Sequence, residues 1–163
     1  MESNNYPVDI AMMKVACPPD RLYSLALGSC VGVAIYDPIA HIGGLIHVLL
    51  PSIDELQGGR HSRTKFADSG INELVNEMIG HGASKFRMKA KIAGGATMFA
   101  IGNTLPGHSI GDRNVASCRE TLKKLGIALI AQDVGGNKGR SIYFDIETGR
   151  LKIKITTAGE KVI

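Results

Sequence analysis

The chain has 163 residues, 44% of them hydrophobic and 21% charged, and twenty glycines. That is enough to bury the core of one domain over 1–163, in a fold with many tight turns. A net charge of +4, from 19 Lys and Arg against 15 Asp and Glu, is too small and too dispersed to argue for nucleic acid. Lys85, Arg87, Lys89 and Lys91 alternate as one solvated strand face would. The first residues lack a basic stretch followed by an apolar one, and no apolar run approaches the roughly 20 residues that span a bilayer. The expectation is a cytoplasmic protein without membrane insertion. Cys17, Cys30 and Cys118 are odd in number and, like the scattered His41, His61, His81 and His108, show no metal-ligand spacing.

In chain order, residues 7–16 alternate partially through Val8, Ile10, Met12 and Met13 and predict one strand, ended by Pro18-Pro19-Asp20. A second run, 22–28, feeds directly into Cys30. Residues 31–36 and 44–50 have strand composition, with Asp37-Pro38 and Gly43-Gly44 as the turn chemistry between them. The polar stretch 52–64, containing Gly58-Gly59-Arg60-His61, predicts a loop able to cover a site.

A helix follows from Ser62 or Thr64 to Ile79, with Phe66, Ile71, Leu74, Val75 and Met78 on one stripe and Gly80 and Gly82 as stops. Gly70 inside it implies close packing against another backbone. Residues 87–92 predict a strand ending in Ala93-Gly94-Gly95-Ala96. No Lys-Ser or Lys-Thr follows, so close backbone approach explains these glycines better than a phosphate loop.

Residues 97–109 form a loop whose Met98, Phe99 and Ile101 are either covered by it or available to a partner. The second helix starts at Gly111 or Asp112 and ends at Leu125 before Gly126, with Cys118 on its core stripe. Strands at 127–133, 141–146 and 151–156 close the chain. About eight strands and two helices, with strands often adjacent in sequence, predict an α+β fold with helices on one face of mostly antiparallel sheets.

The chemistry concentrates in the hairpin. If paired positions sum to 79, Cys30 faces Leu49 and His47 faces Gly32, so thiol and imidazole are diagonal neighbours on one face, about 7–8 Å apart before side-chain extension. A one-residue slip would send them to opposite faces. Gly32 would leave room beside His47 for substrate or thiolate. A thiol beside an imidazole is the minimum for nucleophilic acyl transfer, and amides at Gly28 and Ser29, just before Cys30, can hold an oxyanion. The competing readings are a core histidine with one hydrogen bond and a buried, inert cysteine. Ser24 is a candidate acceptor to orient the imidazole, or simply a strand residue. Arg113, Asn114 and Asn137-Lys138-Gly139-Arg140 could contact a protein substrate, with solvated surface as the default.

LGSCVGVAIYD at 27–37, GGLIHVLLP at 43–51, KIAGGATMF at 91–99, IGDRN at 110–114 and DVGGNKGRSI at 133–142 together resemble the bacterial chemoreceptor glutamine deamidases, the CheD family. The resemblance runs over nearly the whole chain. It implies a three-layer α/β/β sandwich. Cys30 matches the family nucleophile, His47 its catalytic histidine and Ser24 the position of a threonine that completes the triad. Gly28, Ser29, Gly94 and Gly95 fall where substrate would bind, and Ala26 stands where a glycine is common.

The implied reaction is cofactor-free and metal-free deamidation of glutamines on the cytoplasmic helices of methyl-accepting chemoreceptors, in chemotaxis adaptation. Hydrolysis of receptor glutamyl methyl esters is credited to some members, and many bind a CheC-type phosphatase that restrains them. A binding module for that phosphatase or for the receptor, with residual catalysis, is therefore the alternative function. A papain-like peptidase fits less well, because there the histidine lies far downstream of the cysteine rather than inside one hairpin.

Overall fold

The computed structural model describes residues 2–56, 61–99 and 105–163. Its strands are β1 (Asn5–Pro7), β2 (Met13–Ala16), β3 (Arg21–Leu27), β4 (Val31–Asp37), β5 (Ile42–Val48), β6 (Lys89–Gly94), β7 (Ala128–Val134), β8 (Arg140–Asp145), β9 (Arg150–Ile155) and β10 (Gly159–Val162). Two helices, α1 (Ala67–Gly80) and α2 (Ile110–Leu125), complete the fold.

One five-stranded sheet runs β1-β3-β8-β9-β10 and the other β2-β5-β4-β6-β7. Every pairing is antiparallel except β1 with β3 and β6 with β7. The helices cover the outer face of the second sheet, and its inner face meets the first sheet. The layers are therefore α, β and β, an α+β sandwich as expected.

Strand β4 shows how sequence alternation builds this. Val31, Val33 and Ile35 enter the core under the helices, while Ala34, and Cys30 just before the strand, enter the core between the sheets. A strand buried on both faces reads as one continuous apolar run. In β5, Ile42 and Ile46 face the helices and Leu45 the other sheet. Gly43 and Gly44 lie within β5 rather than in the turn. A Cβ on Gly43 would fall 2.9 Å from Phe144 and Ile146, and one on Gly44 2.6 Å from Leu74, so these glycines admit the layers on either side. The turn itself is held by Asp37, which accepts from the Ile39 and Ala40 amides.

Several expectations are corrected. Residues 7–16 are two strands in different sheets, because the chain crosses from one sheet to the other between them, with Ala11 at φ 62°. Ten strands form among the described residues; the edge strand β10 is polar and exposed and carries no periodic signal. Helix α1 begins later than expected, since 63–65 is a separate 3₁₀ turn, and Gly70 lets it sit on Ile46. The 85–91 region is not one solvated face. Arg87 pairs with the buried Asp37 at 2.7 Å, and Lys91 is buried, donating to the Gly149 and Ile163 carbonyls. Residues 58–60 and Ile101 lie outside the described residues.

Candidate active site

The β4–β5 ladder has the register that the sequence permits: Gly32 pairs with His47 and Val31 with Val48. Both Cys30 and His47 therefore point between the sheets, and both are buried, at 7% and 2% exposure. The space over Gly32 is not free for substrate, because a Cβ there would lie 2.3 Å from Ile142 Cδ1 and 3.3 Å from Leu27 Cδ1.

The imidazole is fixed by the segment that crosses between the sheets. Its backbone is clamped by Ala11 and Met12, and its Nδ1 lies 3.4 Å from the Val8 carbonyl oxygen. A carbonyl only accepts, so this contact puts the proton on Nδ1 and leaves Nε2 with its lone pair. That Nε2 is buried and has no hydrogen-bond partner. The Ser24 hydroxyl donates to the same Val8 oxygen at 2.7 Å. Ser24 thus does not accept from His47 directly; the two side chains share one backbone acceptor.

Burial lowers the His47 pKa, partly offset by the Val8 carbonyl and the charge of Asp9. Burial also raises the Cys30 pKa, against a smaller opposing effect of its own backbone N–H. Both shifts favour the neutral forms, a thiol and an imidazole.

Cys30 forms the floor of a cleft of about 550 Å³. Gly28 and Ser29 share the floor, 96–99 form one wall, and 108–111 at the start of α2 form the other. Met98, Phe99 and Ile110 on these walls are exposed. His47 opens instead onto a smaller cavity of about 300 Å³ with Val8, Asp9, Ile10 and Leu25. It does not line the cleft at Cys30.

Gly28 and Ser29 line the cleft beside Cys30, whereas Gly94 and Gly95 are buried and line no part of it. Gly94 has φ +119°, and a Cβ on it would lie 2.2 Å from the Cys30 carbonyl oxygen; Gly95 N–H donates to that oxygen at 2.8 Å. They hold the Cys30 backbone. Asn114 is fully buried, not a surface contact. Its Nδ2 donates to the carbonyls of Ser29 at 2.9 Å and Leu49 at 3.0 Å. Arg140 is buried too, donating to the Asp133, Gly135 and Lys138 carbonyls.

A family model described as CheD chemotactic sensory transduction matches residues 49–155. Proteins named probable chemoreceptor glutamine deamidase CheD are similar over almost the entire chain. That of Desulfitobacterium hafniense is 44% identical over 99% of both chains, and that of Caldanaerobacter subterraneus 45% over all of both. That of Moorella thermoacetica is 48% identical over 96% of this chain and 93% of its own. The chain belongs to the CheD family.

A crystal structure of a Neisseria meningitidis protein of the DUF152 family shares the fold, with a TM-score of 0.51 and 10% identity. The alignment covers 82% of this chain and 63%, less than two thirds, of that one. Two positions at which this CheD chain departs from the expected pattern have plain structural readings. Ser24 keeps the hydroxyl that reaches Val8. Ala26 is exposed, at a break in the β3–β8 register, with φ 54°. Glycine tolerates that left-handed backbone more readily than alanine does. Among the described residues of this CheD chain, no helix is long and apolar enough to cross a membrane.

Proposed function

We propose that this chain is a protein-glutamine deamidase that converts glutamine side chains on the cytoplasmic helices of methyl-accepting chemoreceptors to glutamates and releases ammonia. The observation that carries the reading is Cys30 on the floor of a cleft, with an unpartnered, proton-accepting His47 Nε2 on the same face of the sheet. The names of the relatives supply the substrate class.

In this mechanism the Cys30 thiol gives its proton to His47 Nε2 as sulfur bonds to the carboxamide carbon. The Cys30 amide and its neighbours receive the oxyanion. Nε2–H then protonates the nitrogen, the C–N bond breaks and ammonia leaves a thioester. Water adds with His47 as base, sulfur leaves and recovers the proton, and glutamate is released. The same sequence with methanol as leaving group would hydrolyse a glutamyl methyl ester.

The exposed Met98, Phe99 and Ile110 favour a second reading, in which the cleft rim docks a helix of the receptor or a CheC-type phosphatase and catalysis is residual. Ammonia release from a purified receptor cytoplasmic fragment separates the two. The deamidase reading expects release that falls at least about a thousandfold in Cys30→Ala and about 10²–10⁴-fold in His47→Ala, with fragment binding retained. Binding without release by the wild type would leave only the docking role.

A further inference from the structure

We infer that Asn114 is a positioning residue that sets Cys30 and His47 in register for the reaction; the inference rests on the catalytic reading above. The β4–β5 ladder ends at Val31 and Val48. Beyond that rung the two backbones take other partners: the Cys30 carbonyl accepts from Gly95, while the Leu49 and Leu50 amides donate to Lys65. The hairpin is splayed at the end where its chemistry lies.

Asn114 bridges the splay. One carboxamide nitrogen carries two N–H donors, and here they go to Ser29, immediately before Cys30, and to Leu49, which follows His47 closely on the other strand. Neither a hydroxyl, with one donor, nor a carboxylate, with none, can make both bonds. The anchor is rigid. Ser109 and Asp112 form a capping box at the start of α2, and Gly111 lies so close to the 95–96 backbone that a Cβ on it would be 2.5 Å from the Gly95 carbonyl oxygen.

The bond to Ser29 has a second effect. In a trans peptide C=O and N–H point opposite ways, so drawing the Ser29 carbonyl toward α2 turns the Cys30 N–H away from the helix. That amide is the oxyanion donor of the proposed mechanism, and it already acts on the Cys30 sulfur. One buried side chain thus fixes both the separation of the strands and the direction of the amide.

The test measures ammonia release from the receptor fragment by Asn114→Ala and Asn114→Asp, each in the wild-type and His47→Ala backgrounds, with Tm recorded. Asn114→Ala is expected to lower kcat about a hundredfold with KM within about twofold, since misplacement by about 1 Å costs that much. In the His47→Ala background the same change should cost clearly less than that hundredfold, because alignment of the pair no longer matters while that of the amide still does. Asn114→Asp, nearly isosteric but without the donors, should reproduce the loss if the alanine variant does not fold. Ser117→Ala, which removes a bond from α2 to the Pro51 carbonyl, should lower Tm while leaving kcat unchanged. Retained kcat in both Asn114 variants, or a full multiplicative loss on His47→Ala, would overturn the inference. If Cys30→Ala still releases ammonia, it is the catalytic reading that fails.

Discussion

Burial acts on both members of the pair in the same sense with respect to charge: it keeps the proton on Cys30 and off His47. Such a pair differs from a thiolate–imidazolium couple in what it does without substrate. In the free protein, alkylation of Cys30 by iodoacetamide, followed by peptide mapping to separate it from the exposed Cys17, should rise only above pH 9, the ordinary thiol value being 9.0. A titration near pH 6 would mean a resting ion pair instead. In the proposed mechanism the sign for turnover is set by His47, which has to be neutral to accept the proton. Its pKa lies below 6.5, so kcat/KM should hold through neutral pH and decline only on acidification below 6.5.

Ser24 bears on that imidazole only through the Val8 carbonyl. Ser24→Ala should cost about 1 kcal/mol in chemical denaturation, as a buried hydrogen bond does, and reduce kcat less than His47→Ala. Ser24→Thr should match the wild type. A loss in Ser24→Ala equal to that in His47→Ala would show a direct role. Residue types, spacing and the period of a strand put Cys30 and His47 on one face of the sheet, in agreement with the ladder register. The Val8 carbonyl was not legible, because a backbone oxygen leaves no mark in a sequence.

At the scale of elements, the hairpin works because three others hold its open end: the glycine turn after β6, the start of α2, and the segment between β1 and β2. Gly94→Ala places a methyl on the Cys30 carbonyl at a backbone angle that only glycine adopts easily. It should destabilise the fold by about 3 kcal/mol and abolish turnover, read from denaturant midpoint and ammonia release; an unaltered midpoint would contradict the tight approach.

Both helices were readable from their apolar stripes, and the ends of α2 from Asp112, which forms the capping box with Ser109, and Gly126, the left-handed cap. The 7–16 segment was misjudged because its apolar residues serve two sheets. The 85–91 basic run misled because a lysine flanked by strand residues can be buried when carbonyls receive its ammonium, as those of Gly149 and Ile163 do for Lys91. Asn114 resembles a surface residue in any sequence; only its neighbours Val115 and Cys118 on the buried stripe hint otherwise.

For the whole molecule, the helix layer and the first sheet act as two plates that bury β4 and β5 on both faces. Cys30 and His47 are buried in this sandwich, and a cleft of about 550 Å³ reaches Cys30, with the exposed Met98, Phe99 and Ile110 lining it. Asp37 fastens the far end of the same hairpin. Burial alone would raise its pKa, but the Arg87 guanidinium and the amides of Ser84, Ala40 and Ile39 hold the carboxyl well below the usual range. The stability it contributes is present above the ordinary carboxylate pKa of 3.8 and is lost only as pH falls toward the depressed folded value.

The most direct test of the account is residue-by-residue mass mapping of a receptor cytoplasmic fragment after incubation with wild-type protein and with Cys30→Ala. The account predicts a gain of about 1 Da, glutamine to glutamate, at discrete positions with the wild type and at none with the variant. The same gains with Cys30→Ala would contradict it.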